Sequence, residues 1–478
     1  MPMRILFVAA EASPLVKVGG LADVIGSLPN ALAGLGHEVR LMMPQYGAID
    51  VNQYPLVMVR ERFDVPVGGG TEPASLRLAN LKKVFAYLVG NDGYFGGEQV
   101  YGGDDINRFL FFSRAAFSIV GHLGWKPDVI HCHDWHTALL PMWLKKRRAP
   151  YATVFTIHNL AYQGRFDDDY LNASGLSQDW KDLNAGAPSP PYCFLGQGIT
   201  WADLVTTVSE TYAKEILNPE YGEGLDPLLR YRQKDLVGIV NGIDYEEYNP
   251  EKDPYIPARF SASTIARRAG NKLALQKQFN LPQDAEIPLI GMVQRLDDQK
   301  GIDILVEAID TVLQEKAQLV IVGRGREHYE ASLTEIAGRY PEQMGLFAGF
   351  DEAVARLAYA GCDIFLMPSR YEPCGLGQMI AMRYGAVPVV RHTGGLADTV
   401  PELSPDLGKG NGFVFKEYTP EAMIGAVKRS LETYRNRKAW TRVMERLMKQ
   451  DFSWQNSAKK YEAAYKRAAA KPARIASG

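Results

Sequence analysis

The chain alternates two kinds of apolar pattern. Short, unbroken apolar runs of strand length occur at RILFVAA (4–10), HEVRLMMP (37–44), DVIHC (128–132), ATVFTI (152–157), DLVTTVS (203–209) and LVGIVN (236–241). Segments of helical length lie between most of them. In LADVIGSLPNALAGLG, Leu21, Val24, Ile25, Leu28, Leu32 and Leu35 recur at helical spacing. Pro29 falls inside that segment and is expected to kink or interrupt the helix, because its ring removes a donor and crowds the preceding turn. Strands that are apolar throughout, alternating with helices, predict a parallel sheet covered on both faces.

The rhythm then restarts with PLIGMV (288–293), QLVIVG (318–323), LFAGF (346–350), CDIFLMP (362–368), VPVVR (387–391) and GFVF (412–415). A polar stretch from Asp244 to Arg268, carrying Pro250, Pro254 and Pro257, separates the halves and reads as a hinge or linker. After about Lys416 the pattern is helical, and the Ala- and Lys-rich tail reads as a helix with a frayed end. The expected architecture is α/β, with two Rossmann-like doubly wound domains facing a deep interdomain cleft. Residues 1–243 form the first domain, 244–455 the second, and 456–478 a helical tail packing back on the first.

Composition narrows the choice of partner. A chain of 478 residues exceeds what one core usually fills. Its net charge of −2 argues against a nucleic-acid surface and against strong steering of an anionic polymer, so a neutral partner is easier to accommodate. Cys132, Cys193, Cys362 and Cys374 form no CxxC pair, which excludes a disulfide framework or a zinc ribbon and suits a reduced, cytoplasmic setting. The opening MPMRILFVAAEASP superficially resembles a signal peptide, but only Ile5 to Ala10 is continuously apolar and Glu11 follows at once. A buried strand is the better reading, and no apolar run is long enough to span a membrane.

In open parallel sheets ligands bind beyond the carboxyl ends of strands. The segments found there are KVGG, HCHDWH, HNLAYQG, QRLDDQKG, GRGRE and SRYEPCGLGQ. Gly19-Gly20 and Gly375-Leu376-Gly377 each stand just before an expected helix, where bare amides and the helix N-terminus favour a phosphate. The alternative is glycines that simply close turns. Neither GxGxxG nor GxxxxGK[ST] occurs, which disfavours a dinucleotide enzyme or a Walker-type NTPase. Arg295, Lys300 and Lys17 are cations placed to hold a diphosphate and stabilise its departure, or else solvated loop charges.

His131, His133, His136 and His158 lie within a short interval, and on a strand His131 and His133 share a face. With no separated second ligand pair, a metal is not expected there. Glu372 could bind sugar hydroxyls or stabilise an oxocarbenium charge, or could be a loop acid beside a helix N-terminus. Cys374 reads as structural or as part of a ligand shell. The pentapeptide GGLAD occurs twice, at Gly19 to Asp23 and at Gly394 to Asp398.

Taken in order, KVGGLADV, HDWH, FTIHNLAYQG, VNGID, QRLDDQKG, EPCGLGQ and TGGLADTV resemble the glycogen and starch synthases of bacteria and plastids over nearly the whole chain. These are retaining glucosyltransferases of the two-Rossmann-domain GT-B type, in which the second GGLAD echoes the donor loop. The resemblance implies an ADP-glucose donor, a glycogen or α-1,4-glucan acceptor, and neither metal nor other cofactor, nucleic acid or membrane. It places Lys17, Gly19, Gly20 and Asp23 toward the donor phosphates, and Asp134, His158 and Asn159 along the transferred glucose, with the His158 carbonyl near the anomeric carbon.

By the same resemblance Arg295 and Lys300 neutralise the leaving diphosphate, and Glu372, Cys374, Gly375, Leu376, Gly377 and Thr393 hold sugar and phosphate. Tyr94 is placed near the nucleotide base. Val18 and Gln294 stand where the family usually has Thr and Ser, and both changes leave the charged groups intact. The compact length is similar to the bacterial ADP-glucose enzymes. A sucrose-type synthase, a nucleotide-sugar-binding regulator and a Rossmann oxidoreductase are the weaker alternatives.

Overall fold

The computed structural model describes residues 2–81, 83–181, 188 and 192–471. The chain divides into two compact units, Met1–Gly242 with Trp454–Gly478, and Ile243–Ser453.

The first unit is built on nine strands: β1 (Arg4–Val8), β2 (Glu38–Pro44), β3 (Leu56–Val67), β4 (Gly70–Asn80), β5 (Phe85–Gly90), β6 (Val129–His133), β7 (Ala152–Ile157), β8 (Leu204–Thr207) and β9 (Leu236–Gly238). Their spatial order is β3-β4-β5-β2-β1-β6-β7-β8-β9. From β5 to β9 the pairing is parallel, and β6 and β8 are buried along their whole length, as strands of a sheet covered on both faces are.

The expectation of a purely parallel sheet is corrected at one edge, where β3 and β4 form an antiparallel hairpin and β4 pairs antiparallel with β5. These strands escaped the pattern because β3 is solvated along most of its length, burying only Phe63 and Val65, so it mixes charged and apolar residues. A hairpin signal was nonetheless present: Val67 pairs with Gly70 across the two-residue turn Gly68-Gly69. At the other edge β9 stops at Gly238, shorter than the run to Asn241 implied.

Pro29 does not interrupt its helix, which runs from Gly20 to Gly34. The proline is buried with Val24, Ile25, Leu28 and Leu32, so tertiary packing carries the helix past the missing amide donor, and the Asn30 side chain adds a bond to the Gly26 carbonyl at 2.6 Å in the same turn. The helix Trp454–Ala469 packs on Gly20–Gly34 and on β7, burying Trp454, Ala458, Tyr461 and Tyr465. The frayed end expected of the tail falls at 472–478, outside the described residues.

The second unit holds β10 (Leu289–Val293), β11 (Gln318–Gly323), β12 (Met344–Ala348), β13 (Ile364–Met367), β14 (Val387–Arg391) and β15 (Phe413–Phe415). All pair in parallel, in the order β12-β11-β10-β13-β14-β15. The segment read as a hinge is instead part of this unit. Ile256 and Phe260 are buried, and the Asp253 side chain is fully enclosed, 3.6 Å from Arg356 and accepting from the Tyr384 hydroxyl.

In each sheet the strand order reverses once near the middle, between β1 and β6 and between β10 and β13. The loops leaving the carboxyl ends of such a pair part to opposite faces and open a crevice, which is where doubly wound sheets hold ligands. The segments that leave those four ends are KVGG, HDWH, QRLDDQKG and SRYEPCGLG.

Candidate functional site

In the first unit the loop after β1 is shaped by a residue the motif reading passed over. Glu11 is 2% exposed, and its Oε2 accepts the Val18 amide at 2.6 Å and the Gly19 amide at 3.2 Å. The Tyr101 hydroxyl bonds to the same carboxyl. Burial raises the Glu11 pKa and these donors oppose the rise. The available signal was an acid placed immediately after a buried strand.

Above this carboxylate, Lys17 Nζ lies 2.6 Å from Asp23 Oδ1, the lysine side chain remaining 39% exposed. Gly19 precedes the helix Gly20–Gly34, whose start carries no side-chain cap. A Cβ on Gly20 would meet nothing within 4 Å, and one on Gly19 only Glu11 Oε1 at 3.6 Å. Internal packing therefore requires neither glycine; their bareness keeps open a helix N-terminus of the kind that attracts anions.

After β6, Asp134 takes φ 55° and ψ −179°, close to a region that is essentially glycine's. Its carboxylate accepts the His158 amide at 2.7 Å and the Asn159 amide, so it ties the end of β6 to the loop after β7. Burial pushes this carboxyl up to about 7. Burial moves His158 the other way, to about 3, so its ring is neutral near pH 7.

The neighbouring histidines are spent inside the protein. His131 bonds Tyr465 at 2.9 Å and Thr156 at 2.6 Å, and His133 Nδ1 lies 2.9 Å from His158 Nε2. No cluster of three or more His, Cys, Asp or Glu suited to a metal ion occurs among the described residues.

Tyr94 is not joined to these groups. Its ring stacks on Phe111 at 4.3 Å and its hydroxyl donates to Glu72 at 2.9 Å; burial and this carboxylate raise it to about 12.

In the second unit the loops after β10 and β13 meet. Asp297 caps the turn Asp298–Lys300, accepting the Lys300 amide at 3.1 Å, and pairs with Arg295 at 2.9 Å. Gln294, one of the two departures from the family pattern, donates to the Lys300 carbonyl at 3.1 Å and pins the same loop. Lys300 Nζ is thereby held 2.6 Å from Glu372 Oε2, which also accepts from Ser369 Oγ at 3.0 Å. Arg295 keeps its side chain 54% exposed.

Cys374 and Gly375 turn the chain into the helix Gly377–Arg383, with Leu376 at its N-cap. Gln378 donates back to the Cys374 and Gly375 carbonyls at 3.2 and 2.9 Å. The second GGLAD begins a helix, Gly394–Thr399, with buried Thr393 at its N-cap. The Gly395 amide donates to the Glu372 carbonyl at 3.1 Å. Lys300, Glu372, Cys374 and the second GGLAD are thus one connected cluster; in the first unit Glu11 gathers Tyr101 and the Lys17 loop, Asp134 gathers His158 and Asn159, and the two groups act on each other electrostatically. Ser369 and Asp297, which no motif singles out, and Gln294, marked only as a departure from the family pattern, act through backbone and carboxylate contacts that only the folded loops create.

Comparison with known proteins agrees with this layout. Residues 4–231 match the family described as the starch synthase catalytic domain, and 275–445 match glycosyl transferases group 1. A glycogen synthase of Geotalea daltonii is 45% identical over 99% of this chain and 100% of its own length. One from Thermotoga maritima is 44% identical over 99% and 100%. Among solved structures, the catalytic domain of starch synthase IV from Arabidopsis thaliana, bound to ADP and acarbose, superposes with a TM-score of 0.91 at 33% identity, covering 98% of this chain and 100% of that one. A sucrose-phosphate synthase from Thermosynechococcus elongatus shares the fold alone, with a TM-score of 0.62 at 18% identity. With two parallel-sheet units of the GT-B type and relatives alike over its whole length, the chain belongs to the glycogen and starch synthase family of glycosyltransferases.

Proposed function

We propose that the enzyme transfers glucose from ADP-glucose to the 4-hydroxyl at the non-reducing end of an α-1,4-glucan, with retention of the α configuration. The observation that carries this reading is the Lys300–Glu372 pair at the reversal point of the second sheet, a cation and a carboxylate 2.6 Å apart beside the half-exposed Arg295. Breaking the bond from the anomeric carbon to the diphosphate leaves negative charge on the departing oxygen and positive charge on the sugar. Lys300 and Arg295 answer the first, and Glu372 with the His158 carbonyl answers the second.

Retention follows from attack on the face the diphosphate leaves. The acceptor 4-oxygen bonds to the anomeric carbon, and its proton passes to the departing phosphate oxygen, so no covalent glucosyl-enzyme forms. The second unit is assigned the nucleotide-sugar donor; the first is assigned the acceptor, with its Lys17 loop assigned to the donor phosphates and Asp134 to the transferred glucose. Support for the donor comes from the starch synthase bound to ADP, and for the glucan from the acarbose in the same complex.

The test is to follow nucleotide release and polymer growth with ADP-glucose and UDP-glucose in parallel, with and without glycogen. Glycogen-dependent ADP release with chain elongation is expected. Release from UDP-glucose alone, or binding without release, would overturn the donor assignment or the turnover, and a trapped glucosyl-enzyme would overturn the same-face route.

A further inference from the structure

The buried histidines of the first unit specify a tautomer. His133 is the last residue of β6 and is fully buried; His158 follows β7, and the two strands pair with His133 opposite Thr156. His133 Nδ1 and His158 Nε2 are 2.9 Å apart. Burial holds both rings far below the ordinary imidazole range, so both are neutral and a single proton lies between these two nitrogens.

Which ring owns that proton is decided at the far side of His133. Its Nε2 is buried and has no hydrogen-bond partner among the described residues. The ring lies against Phe7, stacked at 5.3 Å, and against the His131 ring at 4.0 Å. If His158 donated, His133 would carry its proton on Nε2 and bury an orphan N–H. If His133 donates from Nδ1, only a bare lone pair is buried, and an unpaired acceptor is tolerated more readily than an unpaired donor.

We infer that His133 is a positioning residue that donates to His158 and locks it as the Nδ1–H tautomer. His158 Nε2 is then committed to the protein interior, and its one ring donor is Nδ1. That atom has no partner among the described residues and is not one of the buried unpartnered atoms. The backbone of His158 is clamped separately by Asp134. His131, fixed between Tyr465 and Thr156, packs against the His133 ring and blocks its rotation. The lock therefore reaches from the helix Trp454–Ala469 to a directed donor at the end of β7. A neutral N–H of fixed direction suits a sugar hydroxyl acceptor, and only this choice of ligand rests on the function proposed above.

The tautomer is measurable without substrate. In the full chain carrying 15N-labelled histidine, long-range proton–nitrogen correlations at neutral pH separate Nδ1–H from Nε2–H rings, and the spectrum of a His158→Gln variant identifies the His158 signals. The expected result is Nδ1–H for both His133 and His158. Nε2–H on His158 in the wild-type chain overturns the inference whatever the enzyme's substrate proves to be.

His133→Phe keeps the ring volume and removes the donor. It is expected to give mixed His158 tautomers and to lower kcat by about tenfold, the scale on which losing an outer partner that orients a histidine acts. His133→Asn, whose amide can place a donor where Nδ1 lies, is expected to restore the Nδ1–H form and most of kcat. An unchanged His158 tautomer in His133→Phe would also overturn the lock. If His133→Phe does not fold, the wild-type and His133→Asn spectra decide alone.

Discussion

Lys300 and Glu372, 72 positions apart in the chain, meet through a 2.6 Å contact between Nζ and Oε2, with their side chains 14% and 6% exposed. Each is the other's counter-charge in a low-dielectric site, so neither can be removed innocently. Lys300→Ala is expected to lower kcat at saturating donor by about 10²–10³, the scale of losing one preorganised charge stabiliser. With Glu372→Gln, the double variant should fall short of the summed single effects by about 1–3 kcal/mol, because the two act as one unit. Near-normal turnover of Lys300→Ala would remove it from that role.

The two GGLAD copies should respond differently to the same change. Gly394 has φ 43°, and a Cβ there would drive into the Glu372 carbonyl; one on Gly395 would drive into the Cys374 carbonyl. Gly395→Ala is expected to destabilise the second unit by about 1–3 kcal/mol through overpacking, read from denaturant unfolding. Gly20→Ala meets open space and should fold with unchanged or slightly higher stability, since alanine suits a helix better. Its cost should appear in the donor KM. Equal stability losses at both sites would show that the copies share one structural role.

Glu11 holds two amides and a tyrosine hydroxyl with one carboxylate. An amide in its place offers one acceptor oxygen and presents N–H to donors. Glu11→Gln is therefore expected to loosen the Lys17–Gly20 loop and raise the donor KM about tenfold, the loss of a charge-assisted bond. Global stability should change little, because the desolvation cost of the buried charge is removed at the same time. A large fall in Tm with unaltered KM would make Glu11 a purely structural residue.

Asp134 links stability to pH. Its carboxyl titrates near 7 in the folded chain, against an ordinary value of 3.8. Between these values the native state holds the proton and the unfolded chain does not. The stability this group contributes is thus fully present below about pH 4 and is lost as pH rises to about 7. The span corresponds to about 4 kcal/mol, and the stability gap between wild type and Asp134→Ala should move by that order in the variant's favour over the same range. Asp134→Gly should exceed Asp134→Ala by about 1–3 kcal/mol, because glycine accepts the φ of 55° without strain. A gap that does not move with pH would place the Asp134 pKa near its ordinary value.

Most of the architecture was legible because burial writes itself into composition. β10 and β13 are buried along nearly their whole length and carry only apolar residues, while β3, solvated along most of its length, carries no such mark. Local chemistry was legible for a similar reason: Lys17, Arg295, Lys300 and Glu372 stand beside the apolar strands whose carboxyl ends present them. The helix Gly20–Gly34 continues through Pro29 because the core that holds it outweighs intrinsic propensity, and the segment 244–268 belongs to the second unit because its prolines mark turns whether or not those turns pack.

What the sequence determined alone was therefore the parallel strands other than β5, the loops at their ends and the family resemblance of those loops in order. The tertiary structure decided which groups act together. Glu11 under the Lys17 loop, Ser369 and Lys300 on one oxygen of Glu372, and His133 against His158 are pairings set by strand order and register. The physical reason is that a hydrogen bond or ion pair depends on distances of about 3 Å in space. Separation along the chain carries no record of those distances until the sheets have formed.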